Sequence, residues 1–125
     1  MDEKTFKTRT KKLAVAIIKL TDALPHSRAA DVIARQIIRS GTSIGANYRA
    51  ASRAKSTADM INKLKIVEEE ADETEYWLEL LVETGLLSQQ QIANVHKETD
   101  EILAITVASI KTLRNRQSSI RNPKS

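Results

Sequence analysis

Apolar side chains recur along this chain at steps of three and four, in four blocks separated by short polar breaks. That spacing lines one face of an α-helix, and the mixed three-four step is the seam of a helix that packs with a slight left-handed supercoil. The first block, Phe6, Thr10, Leu13, Ile17, Leu20 and Leu24, predicts a helix from about Thr5 to Ala23. Pro25 stops it, because the residue before a proline is pushed out of helical geometry. The second block is Ala30, Ile33, Ile37, Ser40, Ile44, Asn47 and Ala51, a helix from about Arg28 to Arg53. It runs through Ser40-Gly41-Thr42-Ser43-Ile44-Gly45, which has the composition of a loop. The periodicity continues through this segment, so it is expected to be helical. Each interior glycine costs ~1 kcal/mol against alanine, a cost that close backbone packing with a neighbour can offset.

The third block is Met60, Leu64, Val67, Ala71, Thr74, Leu78 and Leu81. It opens at Ser56, an N-cap with Asp59 three residues on, and closes before Gly85, placed as a C-cap glycine. The fourth is Ile92, Val95, Thr99, Ile102, Thr106, Ser109 and Leu113, opened by Ser88 with Gln91 at the capping-box position. Beyond about Arg116 the chain turns polar. The expected organisation is a bundle over residues 1–116 and a disordered basic tail over 117–125. Connections of a few residues force neighbouring helices antiparallel. The predicted fold is therefore all-α, an up-down-up-down four-helix bundle.

Composition agrees with this pattern. A chain of 125 residues with three Gly and two Pro has room for one domain and little punctuation for sheets. Cysteine is absent, which excludes disulfides and thiolate metal sites. No apolar run approaches the ~18 residues of a membrane span, and the charged start is not followed by a signal core. A cytoplasmic protein with no membrane partner is the expectation.

The sequence offers little for catalysis. His26 and His96 lie in different elements, and neither has a second ligand at metal spacing. The acidic run Glu68-Glu69-Glu70-Ala71-Asp72-Glu73-Thr74-Glu75 lacks the Glu-x-x-His motif of di-metal bundles. Ser40 and Ser43 have no histidine base nearby, and no strand precedes a glycine-rich phosphate loop. No catalytic residue, metal or cofactor is expected.

Two departures from a plain bundle remain. Ile66, Tyr76, Trp77 and Leu80 lie off the seam of the third helix, where a monomer should be polar. They are expected to form subunit contacts, since aromatic side chains favour interfaces. The alternative is that Trp77 and Leu80 widen the core. Within the apolar pattern, Arg39, Ser40, Ser43 and Asn47 on the second helix should face Glu69, Glu70 and Glu73 on the third. An ion pair there would fix register more than it adds stability. A ligand pocket is the alternative.

Charge is distributed unevenly. Residues 68–110 hold eleven acidic side chains and one basic, whereas residues 111–125 hold five basic and no acidic. Antiparallel order brings segments 1–12, 49–55, 56–67 and 111–125 to one end, with a formal charge of +12 that leaves −8 for the rest. That end carries Lys4, Lys7, Lys11, Lys12, Arg49, Arg53, Lys55, Lys63, Lys65, Arg114, Arg116, Arg121 and Lys124. Such a patch attracts phosphate backbones with little sequence selectivity. The alternative is a solvated terminus and tail.

The stretch Ile33-Ala-Arg-Gln-Ile-Ile-Arg-Ser-Gly-Thr-Ser-Ile-Gly-Ala-Asn47 and the following Ala50-Ala51-Ser52-Arg53-Ala54 resemble the signature of the bacterial four helix bundle protein family. This is also called the 23S ribosomal RNA intervening-sequence protein family. The similarity continues through Asn62–Ile66, Glu73–Leu81 and Glu83–Leu87, and spans about residues 6–113. The resemblance implies a closed ring of bundles, a homopentamer, with no recognised enzyme activity. The family's genes lie inside inserts of ribosomal RNA genes, which implies RNA as a partner. The chain is also similar to accessory proteins of diversity-generating retroelements, basic rings that bind a reverse transcriptase and nucleic acid, although no residue here is specific to that branch. Three readings follow: a homo-oligomeric nucleic-acid-binding bundle, an adaptor for a protein such as a reverse transcriptase, or, more weakly, a small-ligand or metal protein that uses the acidic third helix.

Overall fold

The computed structural model describes residues 1–121 and contains four helices: α1 (Glu3–Thr21), α2 (Arg28–Ser52), α3 (Thr57–Glu83) and α4 (Gln89–Arg121). Each neighbour in sequence packs antiparallel on the next, and α1 closes on α4 along the sparsest seam. Among the described residues, no helix is long and apolar enough to cross a membrane.

Side-chain caps set the starts of the helices. Asp2 accepts from the Thr5 amide at 2.7 Å and Ser27 from the Ala30 amide at 3.2 Å. Ser88 and Gln91 form the reciprocal capping box, Ser88 N–H donating to Gln91 Oε1 at 2.8 Å and Gln91 N–H to Ser88 Oγ at 3.1 Å. Ser56 caps α3 as expected, but Asp59 reaches past it to the Lys55 amide at 3.1 Å. Gly85, at φ 74°, is the sole described residue with positive φ, and it turns the chain out of α3.

The core follows the predicted seams. Leu13, Ile17, Ile37, Ile44, Leu64, Val67, Leu78, Leu81 and Ile102 are buried. Among the described residues, five polar side chains share that core, and most satisfy themselves on their own helix. Thr99 donates to Val95 O and Thr106 to Ile102 O, both at 2.7 Å, and Thr10 donates to Lys7 O at 3.1 Å. Threonine thus occupies a valine-sized space without an orphaned hydroxyl.

The loop-like segment of α2 is helical, and the neighbour that permits it is α1. A Cβ on Gly41 would lie 3.2 Å from Ile17 Cγ2 and closer still to Ile17 Cδ1, and one on Gly45 would lie 3.2 Å from Thr10 Oγ1. The glycines let the two backbones approach where a side chain would hold them apart.

Three details differ from the sequence reading. Ile61 is buried where Met60 was expected, and Ile110 where Ser109 and Leu113 were. A strict 3.5-residue seam drifts against a 3.6-residue helix, and the drift accumulates towards helix ends. The third concerns the tail: α4 continues as helix to Arg121 rather than ending near Arg116. Gln117-Ser118-Ser119-Ile120 contains no breaker, and the next proline is Pro123. Lys124 and the rest of 122–125 lie outside the described residues.

Candidate functional site

A small apolar cluster marks one end of the bundle. Ala51, Ile61, Leu64 and Ile110 pack together with Tyr48, Met60 and Leu113 against them. The Phe6 ring meets Tyr48 edge-on at 4.5 Å, which brings the start of α1 to the same level. The start of α1, the end of α2, the start of α3 and the last third of α4 therefore share this end.

Its surface is basic. Lys4, Lys11, Arg49, Arg53, Lys55, Lys65, Arg114 and Arg116 are exposed, and Lys7 and Lys63 are half-buried. Arg121 is the last described helical residue, and Lys124 lies beyond the described part. Two of these charges are engaged locally: Lys7 pairs with Glu3 at 3.1 Å and Lys63 with Asp59 at 2.7 Å. Both pairings hold the carboxylate below its ordinary pKa, and Lys63 is the largest influence on Asp59.

Between α1 and α2 lies a groove of ≈ 210 Å³ lined by Lys7, Thr10, Lys11, Ala14, Thr42, Gly45, Ala46 and Arg49. Three cations and no carboxylate line it. Among the described residues, neither Lys11 nor Arg49 is in an ion pair. The Thr42 hydroxyl donates to Ile38 O at 2.7 Å and the Thr10 hydroxyl is committed to Lys7 O, so the groove's free donors are the cationic groups. Such a lining suits an anionic oxygen cluster. A second, wider groove of ≈ 480 Å³ on the outer face of α4 is lined by Thr112, Asn115, Arg116, Ser119 and Ile120.

Not every predicted cation joins this set. Lys12 instead lines the α1–α4 groove beside Glu98. One turn earlier, Arg9 bridges the same seam. Its Nε donates to Glu98 Oε2 at 2.9 Å and its Nη2 to Glu101 Oε2 at 2.7 Å. The guanidinium holds the Glu98 carboxyl below the usual range, and Arg9 is itself raised by Glu98. Sequence reasoning did not find this link, because its members lie far apart in the chain and no periodic signal connects them.

The predicted polar patch is assembled in part. Arg39 reaches Glu70 Oε2 at 3.3 Å and pairs with Glu73, as expected for α2 facing α3, but the Arg39 side chain is half exposed. The buried member is Ser40, whose Oγ accepts from the Thr74 hydroxyl at 2.9 Å. Ser43 and Asn47 turn back to their own helix, bonding Arg39 O at 2.7 Å and Ser43 O at 2.8 Å. Glu69 is exposed and takes no part.

The four residues assigned to subunit contact divide into two pairs. Trp77 and Leu80 are partly buried against the core, the placement that the alternative reading gives them. Ile66 and Tyr76 stay open to solvent, 40% and 53% exposed, and Tyr76 packs edge-on against Trp77. Val15, Ile18, Val32 and Val107 are further exposed aliphatics.

Towards the opposite end, Glu75 of α3 meets His96 and Asp100 of α4, with one ligand atom from each within 4.8 Å of the others. Burial, then Asp100, pushes the Glu75 carboxyl up to about 8. The i, i+4 spacing of His96 and Asp100 was the available sequence signal. The third member comes from another helix and needs the interhelical register.

Comparisons with known proteins accord with this architecture. The model of a family described as 23S rRNA-intervening sequence protein matches residues 3–108. A crystal structure of a protein with unknown function from the S23 ribosomal protein family of Bacteroides thetaiotaomicron is 42% identical. It covers 89% of this chain and 99% of its own, with a TM-score of 0.82. A comparison with curated proteins finds no match.

Proposed function

Because the chain belongs to the 23S rRNA-intervening sequence protein family, we propose that it is a non-enzymatic bundle that associates with copies of itself and holds a nucleic-acid strand against its basic end. The observation that carries this reading is the α1–α2 groove, where Lys7, Lys11 and Arg49 converge without a carboxylate in the lining. Around it, the exposed cations of three other segments extend the patch. Phosphate contacts of this kind position a strand without reading its sequence. Of the described aromatics at this end, Phe6 is buried and Tyr48 is half-buried against it, so base stacking adds little. RNA is the favoured strand because the family's description ties it to 23S rRNA.

Association is supported by Ile66 and Tyr76, large apolar groups left in water by the single chain. A ring of parallel copies would gather their basic ends on one rim. Sedimentation that gives a monomer mass at ~10 μM, a concentration at which an interface of ordinary affinity is filled, would count against it.

The binding test is fluorescence anisotropy of a labelled RNA oligomer across a salt series. Affinity should fall steeply with salt, and removing one cation that neutralises a phosphate should lower the slope of log K against log salt by about 0.7 for a single strand. Lys11→Gln, Arg49→Gln and Arg114→Gln together should weaken binding and flatten the slope, whereas Glu101→Gln should change neither. An unchanged slope in the triple variant would sink the proposal. A protein partner that persists after nuclease and high salt would instead favour the adaptor reading.

A further inference from the structure

We propose that Glu75, His96 and Asp100 form a binding site for a divalent first-row cation of the Zn²⁺ type, clipping α3 to α4 away from the basic end. His96 and Asp100 sit one turn apart on α4, and Glu75 reaches them from α3. One imidazole nitrogen and two carboxylate oxygens, all within 4.8 Å of one another, are a donor set that such ions accept, with solvent in the remaining positions.

The geometry is close to what an ion needs. Bonds of ~2.0–2.2 Å place neighbouring ligand atoms ~3.0–3.5 Å apart. His96 Nε2 and Asp100 Oδ2 are 3.8 Å apart, so a small side-chain rotation closes the gap. Asp100 is exposed and Glu75 is long, which makes that rotation cheap.

A second observation points to a missing positive partner. Glu75 Oε1 is shielded from solvent and has no hydrogen-bond partner among the described residues. Buried acceptors are almost always satisfied, and an unsatisfied one calls for a water, a proton or an ion. No lysine or arginine among the described residues pairs with Glu75 or Asp100. Asp72 and Glu79 add further negative potential around Glu75. A divalent cation would satisfy the shielded oxygen and offset this charge together. His96 also lines a groove of ≈ 180 Å³ with Glu79, Val82, Glu83, Gln89 and Ile92, which gives an ion a path from solvent.

The test is calorimetric titration of the full chain with ZnCl₂ after chelator treatment, together with the absorption spectrum of the Co²⁺ form. The expected result is one ion per chain, Co²⁺ bands of nitrogen–oxygen coordination, and an unfolding midpoint that rises with Zn²⁺. His96→Ala and Glu75→Gln should each lower the affinity at least about tenfold, and His26→Ala should leave it unchanged. Asp100→Asn provides a variant at an exposed position where folding is not at stake, and it too should weaken binding about tenfold. Absence of saturable binding, or binding indifferent to all three ligand substitutions, would overturn the proposal.

Discussion

Gly41→Ala sets two measurable effects against each other. In a helix interior the change should stabilise by ~1 kcal/mol, because alanine loses less backbone freedom than glycine. Here the new Cβ would press on Ile17, 3.2 Å from its Cγ2 and closer to Cδ1, and Ile17 is fully buried. Overpacking of this kind costs ~1–3 kcal/mol. With ~2 kcal/mol as the central value, a net loss of ~1 kcal/mol remains, or about 4 °C in Tm for a chain of this size. Ile17→Val alone should cost ~1 kcal/mol. It also removes the atom that the new methyl would strike. The double variant should therefore lie near the wild type, far from the ~2 kcal/mol loss that additivity would give. Urea unfolding followed by far-ultraviolet circular dichroism, at one fixed protein concentration, measures all four corners of the cycle. A Gly41→Ala protein as stable as the wild type, or an additive double variant, would refute the close-approach account of α1 and α2. Gly45→Ala is the internal comparison. Its Cβ would meet the Thr10 hydroxyl at 3.2 Å, a milder contact, so gain and loss should nearly cancel.

Three further outcomes follow from the same structure. Gly85→Ala should destabilise by ~1 kcal/mol through φ alone, since nothing lies within 4 Å of the added methyl, and Gly85→Asn should recover part of the loss. Arg9 depresses the Glu98 pKa, so this pair stabilises the fold above the ordinary carboxylate pKa and ceases to do so as pH falls through the lowered value. Thermal melts from about pH 7 to about pH 3 should show Arg9→Met less stable than the wild type by ~1 kcal/mol at neutral pH, with the gap closing in acid; a constant gap would contradict the assignment. Thr74→Val keeps the shape but removes the hydroxyl shared between Ser40 Oγ and Glu70 O, and should cost ~1 kcal/mol in urea unfolding.

The elements and most of the core were legible because each helix repeats its seam over several turns. Even the glycine-rich middle of α2 was readable, since its neighbours Ile37 and Ile44 keep the period on either side. What periodicity cannot supply is axial register. Arg9 against Glu98, and Glu75 against His96, depend on how far one helix is slid along the next. Trp77 shows a related limit: one step off an ideal seam looks like surface, yet a large ring reaches back to the core from there. The extent of α4 was hidden for a local reason. Serine and glutamine read as solvent-loving, but neither stops a helix.

The uneven charge of the bundle has a kinetic meaning. Antiparallel helices set their backbone dipoles in opposing pairs, so these largely cancel. The side-chain charges do not: the described residues of segments 1–12, 49–55, 56–67 and 111–121 carry a formal charge of +11, against −8 in the rest of the described chain. In the field of any long polyanion the protein therefore feels a torque as well as a pull. It turns the α1–α2 groove forward and the Glu75 region outward before the surfaces touch. If this end binds nucleic acid as proposed, most collisions begin in a productive orientation, and added electrolyte slows capture by weakening the aim as much as the grip.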